Sequence, residues 1–364
     1  MERVAELDRK GYALYYHGEF SMAIPLLLRA LEISEQALGP DHIDIAERLD
    51  GPAITFDRLG QHEKALPLYQ RALLVRENVL GPEHADTAFS LTNMAILHKN
   101  HGLYLKAVPL YQRVLEIREK VLGPEHSDTV VTLNFLASTF EKLGQYEKAV
   151  LLYQRVLTIN EAVLGPKHRT TAWTMNCLAI LYQSLGQYDK ALSLFEHALT
   201  ICYDYFGTDH YATNQCESNL AVLYHTLGQY DKALPLSSGL FQHALALNEQ
   251  GEYSKAFYLL QRDLAIRDKG MGPEHVDTAF TLYHLARTYV HLDQPHQAVP
   301  LLQRALAIRE KALESADPST HSNLDLHIVI TVKELAKVHQ MLGQYDKSLH
   351  SITAYWASVK KNSA

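Results

Sequence analysis

Cysteine is scarce: the 364 residues hold three, Cys177, Cys202 and Cys216. An odd, sparse set implies no disulfide framework and a reducing compartment, so a cytoplasmic location is expected. Excess positive charge is missing as well. The formal net charge is -7, which argues against a nucleic-acid or anionic-membrane partner. No run approaches the ~18 uninterrupted apolar residues of a membrane span. Met1 to Lys10 is charged throughout and lacks an apolar core, so no signal peptide is expected. No segment alternates with period two for long enough to demand a strand. There is no HExxH, paired CxxC, Walker lysine loop or nucleophile elbow. These absences point away from an enzyme, a cofactor and a metal.

What the chain does have is a repeat. Leu80-Gly81-Pro82-Glu83-His84 returns as Leu122-Gly123-Pro124-Glu125-His126, with relatives at Gly39, Gly165, Gly207 and Gly272. Gly39, Gly81, Gly123, Gly165 and Gly207 stand 42 residues apart. A second series marks another turn: Gly18, Gly60, Gly102, Gly144, Gly186, Gly228, Gly251 and Gly343, with Asp293 at the equivalent place. That makes nine units, each of two helices, A and B. In Asp128 to Leu143 the residues Val131, Leu133, Phe135, Leu136, Ala137 and Phe140 form a stripe of helical spacing. Gly144 ends that helix with a left-handed residue. Tyr146, Ala149, Val150, Tyr153, Val156 and Ile159 then form the stripe of helix B, which Gly165-Pro166 ends. Asp128 or Thr129 is placed to cap the following helix.

Seven residues before each turn glycine the residue is small, from Gly11 and Ala53 to Ala336. Five after it stand Ala23, Ala65, Ala107 and their relatives, ending in Ser348. Small residues on facing helices let two backbones approach. Two after the glycine is usually a ring, such as Phe20, Tyr104 or Tyr146, expected to fill the crevice between pairs. One pair cannot bury both of its faces, so stacked neighbours supply the core.

The spacing small–x6–Gly–x–Tyr–x2–Ala resembles the tetratricopeptide repeat. The 42-residue version, with its Gly-Pro-Glu-His linker and the run Tyr69-Gln70-Arg71-Ala72-Leu73, looks like the kinesin light chain subtype. The resemblance covers about residues 3–358. It implies an all-α fold: a right-handed superhelical solenoid of antiparallel helix pairs, about nine units long.

Two places break the pattern. Gly51-Pro52 falls in the middle of helix A of unit two, where proline costs roughly 3 kcal/mol; a kinked unit or a hinge is expected. The step from Gly228 to Gly251 is 23 residues. About 19 residues, most of a helix B and its linker, are missing after Tyr230. The next helix A is expected over Phe241 to Glu249, after Ser237-Ser238-Gly239. This divides the chain into 1–236, repeats one to six with the sixth truncated, and 237–364, repeats seven to nine. Glu314 to Leu326 reads as a surface loop.

His42, His84, His126, His168, His210 and His275 sit at the repeat landmark. One repeat apart, they are too far from each other to share a metal with bonds of ~2 Å, so capping or linker packing is their expected role. The three cysteines fall on helical segments and are expected to be packed thiols. In the tetratricopeptide family helix A lines the concave wall, and ligand contacts come from positions ten, six and three before the turn glycine. Carried onto this chain, the resemblance implies a peptide-binding groove. Its candidates are Asp50, Asp57, Thr92, Lys99, Asn134, Ser138, Asn176, Gln183, Ser218, His225, Tyr283, Arg287, Lys333 and Lys337, with Asp8, Tyr12 and Tyr15 in unit one. The profile runs from acidic, through amide-bearing, to basic. Asn134 and Asn176 resemble the clamp that holds a peptide backbone in kinesin light chains, since an amide both donates and accepts. The expected function is a protein-interaction scaffold or adaptor with a protein or peptide partner. A regulatory module sensing a small ligand or signalling peptide is the alternative; an enzyme is the third.

Overall fold

A computed structural model describes residues 2–314 and 318–362, with side chains placed for 2–314 and 324–353. Among these residues the chain is helical, without a strand. Two compact units divide it, residues 1–185 and 186–364.

In the first unit α1 (Glu2–Tyr16) pairs with α2 (Phe20–Leu38), α3 (Ile43–Arg58) with α4 (His62–Leu80), α5 (Ala85–Asn100) with α6 (Tyr104–Val121), and α7 (Ser127–Lys142) with α8 (Tyr146–Val163). The last helix is α9 (Arg169–Ser184), packed on α8. Odd helices are the A helices and even ones the B helices. Each B helix also packs on the next A helix. One cluster shows the consequence: Ala53 and Phe56 of α3, Ala65 and Tyr69 of α4, and Met94 and Leu97 of α5 share a core. The side chains of one repeat are thus buried by the next.

The small residues sit where the helices meet. Ala53, Ala95, Ala137, Ala65, Ala107 and Ala149 are fully buried. At Gly11 even a methyl group would lie 2.7 Å from Leu27 Cδ2. The expected ring positions differ in part. Phe20, Tyr104 and Tyr146 are half-buried, because they open helix B at the rim of the turn. The rings that fill the crevice lie seven residues further on: Tyr69, Tyr111 and Tyr153 are at most 3% exposed.

The linkers are built from backbone capping. His42, His84, His126 and His168 each take the extended conformation of an N-cap. Their Nδ1 atoms accept from the backbone N–H two residues on at 3.1–3.2 Å. The expected cap at Asp128 or Thr129 is therefore made by His126 instead. An imidazole with its proton on Nε2 offers Nδ1 as an acceptor, which is what a helix N-terminus lacks. Thr129 turns back, its hydroxyl donating to the Gly123 carbonyl at 2.8 Å, as Thr87 does to Gly81. α3 runs without a break through Gly51 and Pro52.

The second unit contains α10 (Tyr188–Phe206), α11 (Tyr211–Thr226), α12 (Tyr230–Ala233), a 3-10 turn at Leu234–Leu236, α13 (Ser237–Glu249), α14 (Tyr253–Gly270), α15 (Val276–His291), α16 (Pro295–Glu314), α17 (Pro318–Met341) and α18 (Tyr345–Asn362). His210 and His275 cap α11 and α15 as their relatives do. Helix B of the sixth repeat has shrunk to the single turn α12. α13 packs on both α11 and α14, standing where that helix would have been. It begins at Ser237, four residues before the expected start. Ser237, Gly239 and Leu240 are all buried. The loop expected over 314–326 is helix from Pro318 onward; residues 315–317 lie outside the described ones. Proline suits a first helical turn, where its missing N–H is not needed.

Candidate interaction surface on the A helices

Within the first unit neighbouring A helices touch directly. Arg58 Nε donates to the Tyr15 hydroxyl at 3.3 Å, Asn100 Nδ2 to Asp57 Oδ2 at 3.4 Å, and Lys99 Nζ to Ser138 Oγ at 2.7 Å. α1, α3, α5 and α7 thereby form one wall. The B helices are joined by a different device. Arg71 pairs with Glu35, Arg113 with Glu77 and Arg155 with Glu119, at 2.5–2.6 Å and always 36 residues apart. Arg71 and Arg113 also donate to the carbonyls of Pro40 and Pro82, tying down the linkers.

Between a B helix and the next A helix runs a column of polar pairs 14 residues apart. Arg76 donates to Ser90 at 2.5 Å, Arg118 to Thr132 at 2.7 Å, and Asn160 to Thr174 at 3.0 Å. In the second unit the same places hold Cys202 and Cys216, with sulfurs 3.4 Å apart. Both are buried, as packed thiols should be. Burial likewise pushes the Cys177 thiol up to about 12.

The candidate residues separate by depth. Asp50 is 6% exposed and paired with Arg76 at 2.7 Å. Burial raises its carboxyl above the usual range, against the pull of Arg76. Thr92 is buried, its hydroxyl donating to its own helix at Ala88. Asn176 is 6% exposed and Ser218 fully covered. Asp57, Asn134, Ser138 and Gln183 are half-buried. The Oδ1 atom of Asn134 has no hydrogen-bond partner. Lys99 lies 5.2 Å from the Phe135 ring centre, and burial lowers its affinity for a proton.

In the second unit His225 is half-buried and sits edge-on to Tyr230. Tyr283 lies under Arg287 and Arg309, 5.9 and 5.5 Å away. Arg287, Lys333 and Lys337 are exposed, Lys337 lying 3.8 Å from Glu334.

The wall of the first unit also carries an apolar row. Val131, counted in the apolar stripe of its helix, belongs to this row and stands outside the core. Three residues before Thr92, Asn134 and Asn176, on the same helical stripe, stand Phe89, Val131 and Trp173. They are 42 residues apart and 44%, 43% and 48% exposed. The signal was present: an apolar residue recurs on the stripe that should be polar. The corresponding residue of α3 is Glu47, also exposed.

Among the described residues no helix is long and apolar enough to cross a membrane. No curated protein matches the sequence. BtubC (BKLC) from P. vanneervenii is similar in structure, with 22% identity over 68% of this chain and 91% of its own and a TM-score of 0.50. A Podosopora anserina protein with nearly identical TPR-like repeats shares 26% identity, covering 63% of this chain and 98% of its own, with a TM-score of 0.38. PilF of Pseudomonas aeruginosa shares 18% over 66% and 91%, with a TM-score of 0.45. The tetratricopeptide repeat profile matches residues 3–73, 53–102, 94–162, 142–204, 170–238 and 236–311 in overlapping stretches. Matched from near its first residue to residue 311, the chain belongs to the tetratricopeptide repeat family.

Proposed function

We propose that the chain is a protein-interaction scaffold, and that the A wall of its first unit holds an extended segment of a partner protein. The observation that carries this is the row Phe89, Val131 and Trp173. Exposed apolar side chains in an ordered line are costly to leave in water and are a common mark of an interaction surface. Next to that row stands half-buried Asn134, whose covered Oδ1 has no partner. An amide beside apolar side chains suits an extended peptide, whose backbone needs donors and acceptors whatever its sequence.

The test uses peptides selected from a random display library on the full chain. The chain has two tryptophans, Trp173 and Trp356, so W356F leaves Trp173 as the sole reporter. Selected peptides should perturb its emission, and N134A should weaken them without changing the melting temperature. Asn176 is the poorer choice for this test, because it is nearly buried. Selected peptides that bind with no response from Trp173, and equally well to N134A, would remove the A wall as the site.

A further inference from the structure

The Gly51-Pro52 stretch of α3 borders a concavity that the repeat pattern does not foretell. A cavity of about 550 Å³ opens between α1, α3 and α5, and Asp50, Gly51, Tyr12 and Phe89 are among the residues that line it. Gly51 has a steric reason to be glycine. A methyl group there would lie 2.8 Å from the Tyr12 hydroxyl, so its absence lets the ring lie against α3. Tyr12 is 38% exposed and Phe89 44%.

Four carboxylates line this cavity, those of Asp44, Glu47, Asp50 and Asp86, against the single cation of Arg76. Arg76 is committed. It gives one amino group to Asp50 Oδ2 and the other to Ser90, and its guanidinium carbon lies 5.5 Å from the Phe89 ring centre. The second oxygen of Asp50, Oδ1, has no hydrogen-bond partner although the residue is only 6% exposed. A buried acceptor left unpaired is costly. The excess of negative charge is felt nearby, since burial together with Asp8, Glu47 and Asp50 pushes the Tyr12 phenol up to about 12.

An anion would meet four carboxylates here. An apolar side chain would leave Asp50 Oδ1 unsatisfied. A cation bearing several N–H groups meets both demands, and aromatic faces add attraction for it. We infer that this basin takes the arginine or lysine side chain of a partner segment. This rests on the A wall being the peptide site and names what its α3 end selects. The exposed row beginning at Phe89 then receives the apolar residues that follow.

The experiment is fluorescence anisotropy on the full chain with a labelled peptide, Gly-Ala-Arg-Ala-Leu-Ala-Leu-Ala-Gly. Its twins carry lysine, citrulline or glutamate in place of arginine. The arginine and lysine probes should bind, the citrulline probe at least tenfold more weakly, and the glutamate probe not at all. E47Q should weaken the arginine probe threefold or more and leave the citrulline probe unchanged. Glu47 is exposed, so this variant should keep its circular dichroism spectrum; D50N, which also breaks the Arg76 pair, is read only if its spectrum is kept. Equal binding of arginine and citrulline probes, or indifference to E47Q, overturns the basin. If selected peptides still perturb Trp173 in that case, the A wall stands and the basin alone is lost. Silence from the probes and from every selected peptide removes both.

Discussion

Glu217 on α11 and Gly239 on α13 approach so closely that a methyl group on Gly239 would lie 1.9 Å from Glu217 Oε2. The backbone N–H of Gly239 donates to this carboxylate, and so does the Tyr203 hydroxyl. Glu217 is 7% exposed. A buried acceptor thus serves the first turn of α13 where the missing helix B would have packed. G239A should therefore destabilise the chain by about 1–3 kcal/mol, the usual range for forcing a group into a filled space. Chemical denaturation of the variant checks this, and an unchanged midpoint would mean that α13 can shift at little cost.

Residues 236–240 are also proposed as the joint between blocks 1–236 and 237–364. The 3-10 turn at Leu234–Leu236 buries none of its three residues, and stability in a stacked array is roughly a sum of repeat and interface terms. Amide exchange there should be faster than in α7 and α8, and faster still in E217A. Exchange as slow as in α7 would show that α13 fully replaces the lost helix.

Glycine at turns and alanine at helix crossings follow from backbone geometry, so periodicity made the helix pairs legible, and their boundaries too except at α13 and α17, where the repeat spacing breaks. Asp293, placed in the glycine series by spacing, does adopt a positive φ of 59°. Chemistry that depends on partners one repeat away was harder to see. The pairs Arg71–Glu35 and Arg113–Glu77 were written in the sequence as arginine eleven and glutamate seventeen after the turn glycine. The landmark histidines read as capping or linker residues, and they cap; which atom accepts, Nδ1, shows only in the turn. The candidate wall was legible as positions, not as depth. Asp50 and Ser218 share a register with half-buried Asn134 and exposed Lys333, and only packing shows that they are covered.

At Asp293 an L side chain holds a conformation that costs most residues about 1–2 kcal/mol. Aspartate tolerates it better than most. D293G should raise stability by about 0.5 kcal/mol, the relief being partly offset by greater freedom of the unfolded chain. Loss of stability would mean that the Asp293 side chain contributes contacts of its own.

Acid should weaken the fold through buried histidines. Burial, with Arg287 and Arg309 nearby, holds His284 down to about 4; burial also lowers His243 and His98. An unfolded histidine titrates near ~6.5. Between those values the unfolded chain binds protons that the folded chain refuses, so stability falls as pH falls. His284 alone should account for about 1–2 kcal/mol by pH 5. Asp50, Asp263 and Glu217 act oppositely, since burial raises them and the folded state takes up their protons first. Their offset grows toward lower pH, so the loss should be clearest between ~6.5 and ~5. Melting temperatures across that range check the sign, and H284Q should flatten the slope.

The central claim is that partners bind on the A helices and not on the B helices. Val131 on α7 and Leu151 on α8 are both exposed, at 43% and 66%, and belong to the same repeat. A benzophenone amino acid placed at either position in the full chain reports contact by photo-crosslinking. With a display-selected peptide in solution, position 131 should capture it and position 151 should not. Capture at 151 with none at 131 would contradict the account.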